Sequence, residues 1–288
     1  MAVAATTTTG ARPARAGRRL PLAWIGSVPF LGYVGIFLLL PTGIVVWNAI
    51  RNPTHGGLDL AGLKLLGNSA VRSYFTGSLE LSAITAVAGA VLGAILAYAV
   101  ATGNPDGVLR RVYLAGSGVL AQFGGVILAF AFLATIGPTS GVLLHLSWYY
   151  DFPQGIGLIY IYFQIPLMVL VFLPAIDGLK AQWREATENL GGSTWQYWRY
   201  VGVPLLAPAF SSATLLLFAN SLSAYATIQA WENQIAYTAP QQIYISINSE
   251  VGLASNEGDI LALGMVVLVA IIMTCYALLQ RRAARWLR

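Results

Sequence analysis

Few side chains in this 288-residue sequence can do chemistry, and those few do not gather. His55 and His145 stand alone and Cys275 is the single cysteine, so the sequence assembles neither a metal-ligand set nor an intrachain disulfide. The only lysines, Lys64 and Lys180, each follow a leucine, which excludes a GxxxxGK(S/T) loop and that way of cradling nucleotide phosphates. A membrane-embedded enzyme would need a His, Asp, Ser or metal cluster near one interface, and none forms. What stands out is one organised polar stretch, residues 177–204, and one carboxylate, Glu80, beside a long apolar run.

The polar stretch carries its own helical pattern. Ile176, Leu179, Trp183, Ala186 and Leu190 recur at spacings of 3 and 4, which puts them on one helix face, with Asp177, Lys180, Arg184 and Glu188 opposite. Gly191-Gly192 ends that helix by allowing a left-handed residue. Ser193, with Gln196 three places on, is a capping-box start for a second short helix, which Pro204 limits at its far end. Two amphipathic helices joined by a tight glycine turn are thus predicted. They serve either as an interfacial anchor through Trp195, Tyr197 and Trp198, or as a docking element that passes a push from a partner to membrane helices.

The elements that must position this stretch follow from composition. Hydrophobic residues make up 57% and charged residues 9% of the chain, and mean hydropathy is +0.68. A soluble domain has about 25% charged residues to cover its surface; this chain is an integral membrane protein. A crossing helix needs about 20 apolar residues, because the hydrocarbon core is about 30 Å thick. Long apolar stretches place six transmembrane helices at 20–50, 75–101, 112–136, 156–176, 205–231 and 259–280. Outer connections fall at 51–74, 137–155 and 232–258, and inner ones at 102–111 and 177–204. Runs such as 169–173 are apolar on all sides, unlike the alternating strands of a β-barrel, so the fold class is an all-α polytopic membrane protein.

Charge sets the orientation. With both ends inside, 13 of the 16 basic residues lie on the inner face, leaving only Arg51, Lys64 and Arg72 outside. The net charge of +5 therefore reflects topology and does not point to nucleic acid. Residues 1–19 read as a disordered inner tail, and 281–288 as an inner tail. A cleaved signal peptide competes for the N-terminus, but the apolar run there far exceeds the about 7–15 residues of a signal peptide, which favours an uncleaved first span.

An acidic group at the centre of a span costs about 2.5–3.5 kcal/mol. Glu80 therefore either lines a solute path, where it suits a cation such as a polyamine, or sits at the outer end of span two and meets water. Gly89 and Gly93 form a small-xxx-small pair that allows close helix approach.

Glu185-Ala186-Thr187, Gly191 six places after the glutamate, and Val201-Gly202-Val203-Pro204 resemble the EAA motif of binding-protein-dependent ABC importer permeases. That motif reads Glu-Ala-Ala, three residues, Gly, nine residues, Ile-x-Leu-Pro. Thr187, Val201 and Val203 depart from it by modest changes of size, and the Glu, Gly and Pro spacings are kept. The resemblance extends over residues 28–288 and implies a type I importer permease core. It implies that 177–204 is a cytoplasmic coupling element seated in a groove of an ATPase subunit. Glu185, Ala186, Gly191, Gly192 and Pro204 are then its coupling residues, with Ala186 packing and Gly191 turning.

The resemblance also implies the partners: an ABC ATPase dimer that carries ATP and Mg²⁺, with no cofactor on this chain; a second permease subunit, expected to be a homologous different chain; and an extracytoplasmic substrate-binding protein. The implied location is a bacterial inner or plasma membrane, with both termini cytoplasmic. The mechanism implied is alternating access, in which ATP-driven closure of the ATPases draws two coupling elements together and tilts the spans. Flanking segments, notably Ser78–Ser82, Phe218–Ser221 and Ala224-Tyr225-Ala226-Thr227, look most like the spermidine/putrescine branch. Tyr225 thereby joins Glu80 as a pathway candidate. The expected solute is a polyamine or related small organic molecule, with phosphonate, thiamine, ferric iron and sugar as alternatives. A secondary transporter is the rival class; it would carry ionisable groups deep in several spans, and only Glu80 is a candidate.

Overall fold

The computed structural model describes residues 23–51, 57, 61–104, 107–123, 125–138, 141–145, 147–231, 237–248 and 257–286. The expected tail at 1–19 lies outside the described residues. Two compact units divide the chain, Met1–Val45 and Val46–Arg288. The N-terminal helix begins as α1 (Ala23–Val34), passes a π-turn at Gly35–Leu39 and continues as α2 (Leu40–Ile50). Within it, Val28–Ile50 is long and apolar enough to cross a membrane.

In the second unit the chain is helical almost throughout. Among the described residues of the chain five helices are long and apolar enough to cross by themselves, and a bent pair makes a sixth if its two helices form one span. The helix α3 (Ser69–Ala101) starts six residues before the expected 75. Asn68 explains the earlier start, since its side chain accepts from the Ala70 N–H at 3.1 Å and caps the helix. A 3₁₀ turn, Ala61–Gly67, precedes it.

The stretch expected to cross once at 112–136 is instead two helices, α4 (Val108–Gln122) and α5 (Val126–Ile136), bent by 101°. Gly116, Gly118, Gly124 and Gly125 crowd this segment and weaken helix propagation there. After a 3₁₀ turn at Ser147–Tyr150, α6 (Gln154–Asp177) runs back through the core. It is followed by α7 (Ala181–Asn189), α8 (Thr194–Tyr197), a π-turn at Trp198–Gly202, α9 (Val203–Ser223) and α10 (Ala226–Trp231). The outer connection expected at 232–258 contains a ten-residue helix, α11 (Ala239–Asn248). The last helix, α12 (Glu257–Trp286), continues past the expected 280 into the segment read as a tail.

Helices in lipid gain little from the hydrophobic effect, so close packing and hydrogen bonds must hold them. Gly89 and Gly93 supply the packing. A Cβ at Gly89 would lie 2.7 Å from Gln164 Cβ, and one at Gly93 would collide with Met168, so these glycines let α3 press against α6. Around that contact sits one core, with Ala86, Ala90 and Ala97 of α3, Met168, Val169 and Phe172 of α6, and Ala213 and Leu217 of α9. A second core joins Leu128 and Ala129 of α5, Ile156, Ile159 and Tyr160 of α6, and Ile228 and Trp231 of α10. Hydrogen bonds fasten its irregular parts. Trp231 Nε1 donates to the Tyr149 carbonyl at 2.8 Å, Tyr149 Oη to the Ala129 carbonyl at 3.1 Å, and Tyr160 Oη to the Ala224 carbonyl at 2.5 Å. The last of these satisfies a carbonyl freed where α9 stops, a group too costly to leave bare in lipid.

Candidate functional site

The polar stretch forms a rigid turn joined to a membrane helix. The helix predicted from Ile176 to Leu190 is divided: Ile176 belongs to α6, Gly178 caps that helix, and Lys180, in an extended conformation, precedes α7. Spacing by 3 and 4 carries across the break because Ile176, Leu179 and Trp183 all pack inward, whereas Ala186 and Leu190 are exposed. At the end of α7 the Gly191 N–H donates to the Glu188 carbonyl and the Gly192 N–H to the Thr187 carbonyl, both at 2.9 Å. This is a Schellman stop, and Gly191 takes the left-handed backbone it needs, at φ +74°. Gly192 is crowded instead, since a Cβ there would sit 2.7 Å from Thr187 Cγ2.

Ser193 then opens α8 with a full capping box. Its N–H donates to Gln196 Oε1 at 2.7 Å, and its hydroxyl accepts from the Gln196 N–H at 3.3 Å. Pro204, expected to limit the second helix, does not end it. The chain stays helical from Thr194 to Ser223, and Pro204 falls in the first turn of α9. Proline lacks an N–H and crowds the preceding turn; the π-turn just before it, where the Val203 N–H reaches back to the Trp198 carbonyl, widens the helix and accommodates the ring.

Two contacts that local pattern could not reveal hold this element to the bundle. Arg110 of α4 pairs with Asp177 at the end of α6, and Trp198 meets Tyr98 of α3 edge to face, with ring centroids 5.3 Å apart. On the surface Arg184 pairs with Glu188 one turn on, at 3.0 Å. The outward face carries Glu185, Ala186, Leu190 and Trp195; Leu190 is 89% and Trp195 71% exposed. Two large apolar side chains so exposed on a stiff polar turn make a surface suited to a protein partner.

The pathway candidates lie apart from this element. Glu80 is exposed on α3, eleven residues from its start, or about 16 Å along the axis. The helix is about 50 Å long against a hydrocarbon core of about 30 Å. Were α3 centred in the bilayer, Glu80 would thus sit about 6 Å inside the hydrocarbon boundary, within reach of the interface. Tyr225 occupies the break between α9 and α10, hydrogen-bonded to Tyr244 of α11, with ring centroids 4.7 Å apart. Glu80 and Tyr225 share no hydrogen bond or ion pair.

A buried polar cluster was not singled out from the sequence. Thr85, Gln164 and Ser221 join α3, α6 and α9, and none is more than 3% exposed. Gln164 Nε2 donates to Thr85 Oγ1 at 3.1 Å, and the Thr85 and Ser221 hydroxyls are 3.0 Å apart. Gln164 Oε1 has no partner. An amide in the middle of an otherwise apolar span was the available signal.

The comparisons with known proteins agree with this architecture. The family of binding-protein-dependent transport system inner membrane components matches residues 89–288. Over 226 residues the chain is 25% identical to the inner membrane ABC transporter permease protein YdcU of Escherichia coli (strain K12), covering 70% of each chain. Over 213 residues it is 25% identical to the trehalose transport system permease protein SugB of Mycobacterium tuberculosis (strain CDC 1551 / Oshkosh), covering 71% of each. In fold it is similar to a chain of a bacterial ABC transporter that imports the acidic polysaccharide alginate, with a TM-score of 0.70 at 16% identity over 91% of this chain and 95% of that one. It is also similar to a chain of the MetNI methionine ABC transporter in an inward-facing conformation, with a TM-score of 0.55 at 17% identity over 74% of this chain and 95% of that one. With the family match covering residues 89–288, the chain belongs to the binding-protein-dependent transport system inner membrane component family and is a type I ABC importer permease subunit.

Proposed function

We propose that residues 177–204 are the coupling element through which a partner ATPase drives this subunit. Glu185, Ala186, Gly191, Gly192 and Pro204 set its contact face, its turn and its junction with α9. The observation that carries this reading is the continuous helical run from Thr194 to Ser223, which joins the exposed Trp195 through the π-turn at Trp198–Gly202 to the apolar helix α9. ATP and Mg²⁺ belong to the ATPase dimer, and this chain takes no cofactor. A second permease subunit, homologous but different, completes the pathway, and an extracytoplasmic binding protein delivers the solute. The subunit lies in a bacterial inner membrane with both termini cytoplasmic. Co-purification with an ATPase and a second permease, followed by ATP-dependent uptake in vesicles of the assembled complex, tests this. Uptake driven by an ion gradient with no partner subunit overturns it.

For the solute we favour a small organic cation such as a polyamine, because Glu80 and Tyr225 supply a carboxylate and an aromatic face. A neutral sugar is the second reading. The buried polar groups Thr85, Gln164 and Ser221 are uncharged, and one relative, SugB, is a trehalose transport permease. Glu80→Gln separates the two readings: uptake of cations falls and that of sugars stands if the first holds, and neither changes if the second does.

A further inference from the structure

We propose that the side of the coupling element facing α3 and α4 is a binding site for an anionic phospholipid of the adjacent leaflet. A cavity of about 810 Å³ opens there, between the ends of α3, α4 and α6 and the helices α7 and α8. Arg110, Lys180 and Arg184 line it against a single lining carboxylate, Asp177. Asp177 holds Arg110 in place, and Glu188 holds Arg184. Lys180 has no carboxylate partner among the described residues; its ammonium lies 6.0 Å from the centre of the Trp183 ring. Thr194 and Thr102 also border the space; the Thr102 hydroxyl donates to the Tyr98 and Ala99 carbonyls, both at 3.1 Å, which leaves Thr194 as the further hydroxyl donor.

Arg110 is at the same time part of a second wall. An apolar groove of about 360 Å³ is bounded by Leu96, Ala99 and Val100 of α3 and by Leu109 and Tyr113 of α4, together with Arg110. A basic cavity and an apolar groove that share one arginine match the two halves of an amphiphile. The phosphate meets the cations and an acyl chain lies along the groove. A free anion would have no use for the groove, and a neutral lipid would leave Lys180 without a counter-charge. Basic pockets between helices at the cytoplasmic surface, beside an anionic leaflet, take such headgroups. The lipid would bridge α4, α6 and α7 and so brace the coupling element against the bilayer; the sidedness rests on the orientation proposed above.

Native mass spectrometry of the full chain in detergent tests this without reference to uptake, so the transport reading stands or falls separately. The probes are phosphatidylglycerol, phosphatidylcholine of the same acyl chains, and glycerol phosphate alone. Phosphatidylglycerol is expected to bind best. Lys180→Gln with Arg184→Gln should weaken its retention about 30-fold, since each removed charge near the surface counts for about a factor of five. The control Lys64→Gln with Arg72→Gln, at the other end of α3, should leave it unchanged. Ala99→Trp, which fills the groove at an exposed position and spares every cation, should also weaken it, and this variant decides the matter if the charge variant fails to fold. Equal retention of both lipids, unchanged binding in both site variants, or glycerol phosphate binding as tightly as the lipid would overturn the proposal; the first would leave the face to a protein partner, and the last would make it a free-anion site.

Discussion

Arg110, in the first turn of α4, and Asp177, the last residue of α6, form an ion pair across 67 positions of sequence. The arginine side chain is only 14% exposed and the carboxylate 38%, so the pair is partly shielded from water. Removing the acid strands a half-buried cation. Asp177→Asn should therefore lower stability by about 1–3 kcal/mol, read as a fall in Tm in detergent. The exchanged pair, Arg110→Asp with Asp177→Arg, should recover part of it. A single variant as stable as the parent would show the contact to be dispensable.

Gly191 should discriminate by backbone shape and not by bulk. No atom stands within 4 Å of a Cβ built there, yet its φ is +74°. Gly191→Asn, which tolerates that region, should keep uptake near normal in the assembled transporter. Gly191→Val should leave insertion intact and cut uptake by tenfold or more, because a β-branched residue in this region costs about 1–3 kcal/mol and the Schellman stop must rearrange. Normal uptake by the valine variant removes Gly191 from the coupling element.

Trp195 offers a test of the partner surface. At 71% exposure it contributes little to the fold of this chain, so Trp195→Ala should shift Tm by less than the error of the measurement. An aromatic anchor of an interface typically contributes about 2 kcal/mol or more, and the amount of ATPase recovered with the variant should drop accordingly. A loss of Tm with undiminished recovery would reverse the assignment.

Within the Thr85–Gln164–Ser221 cluster, the order of effects is predictable. Gln164→Leu removes one hydrogen bond and also the acceptor that has no partner, two changes of opposite sign. Thr85→Val strands both Gln164 Nε2 and the Ser221 hydroxyl. Interhelical hydrogen bonds in membranes average about 0.6 kcal/mol. Thr85→Val should therefore destabilise the chain more than Gln164→Leu does. The opposite ranking of melting temperatures would mean that Gln164 fills space that leucine cannot.

Gly93→Val should be among the most damaging single changes, since its side chain would have to displace Met168 on a helix pressed against it. Overpacking of this kind costs about 1–3 kcal/mol or more. Pairing it with Met168→Ala should restore monodisperse protein on size-exclusion chromatography, and failure to do so would place the clash in the backbone contact with Ile165 instead.

Much of this architecture was legible in local chemistry. Composition declared the membrane, Gly191-Gly192 and the Ser193/Gln196 pair declared a turn with a capped restart, and Gly89 with Gly93 declared a tight helix contact. Each is a property of a few neighbouring residues. What escaped depends on residues far apart or on compensation between rules. Pro204 reads as a helix limit until the π-turn before it makes room for the ring. The uncharged stretch at 112–136 reads as one span until its glycines allow α4 and α5 to diverge by 101°. The Arg110–Asp177 pair and the Thr85–Gln164–Ser221 cluster join helices brought together only by folding, so no window along the chain contains them.

The unbroken run from Thr194 to Ser223 has a geometric corollary. Thirty residues make a rod about 45 Å long. If the end bearing Trp195 is rocked by about 10° about a fixed base, the opposite tip sweeps about 8 Å. The helical run ends at the interruption at Ala224 and Tyr225, so under the coupling proposed above a small rotation at one end would arrive at the other as a displacement wide enough to part or close a passage.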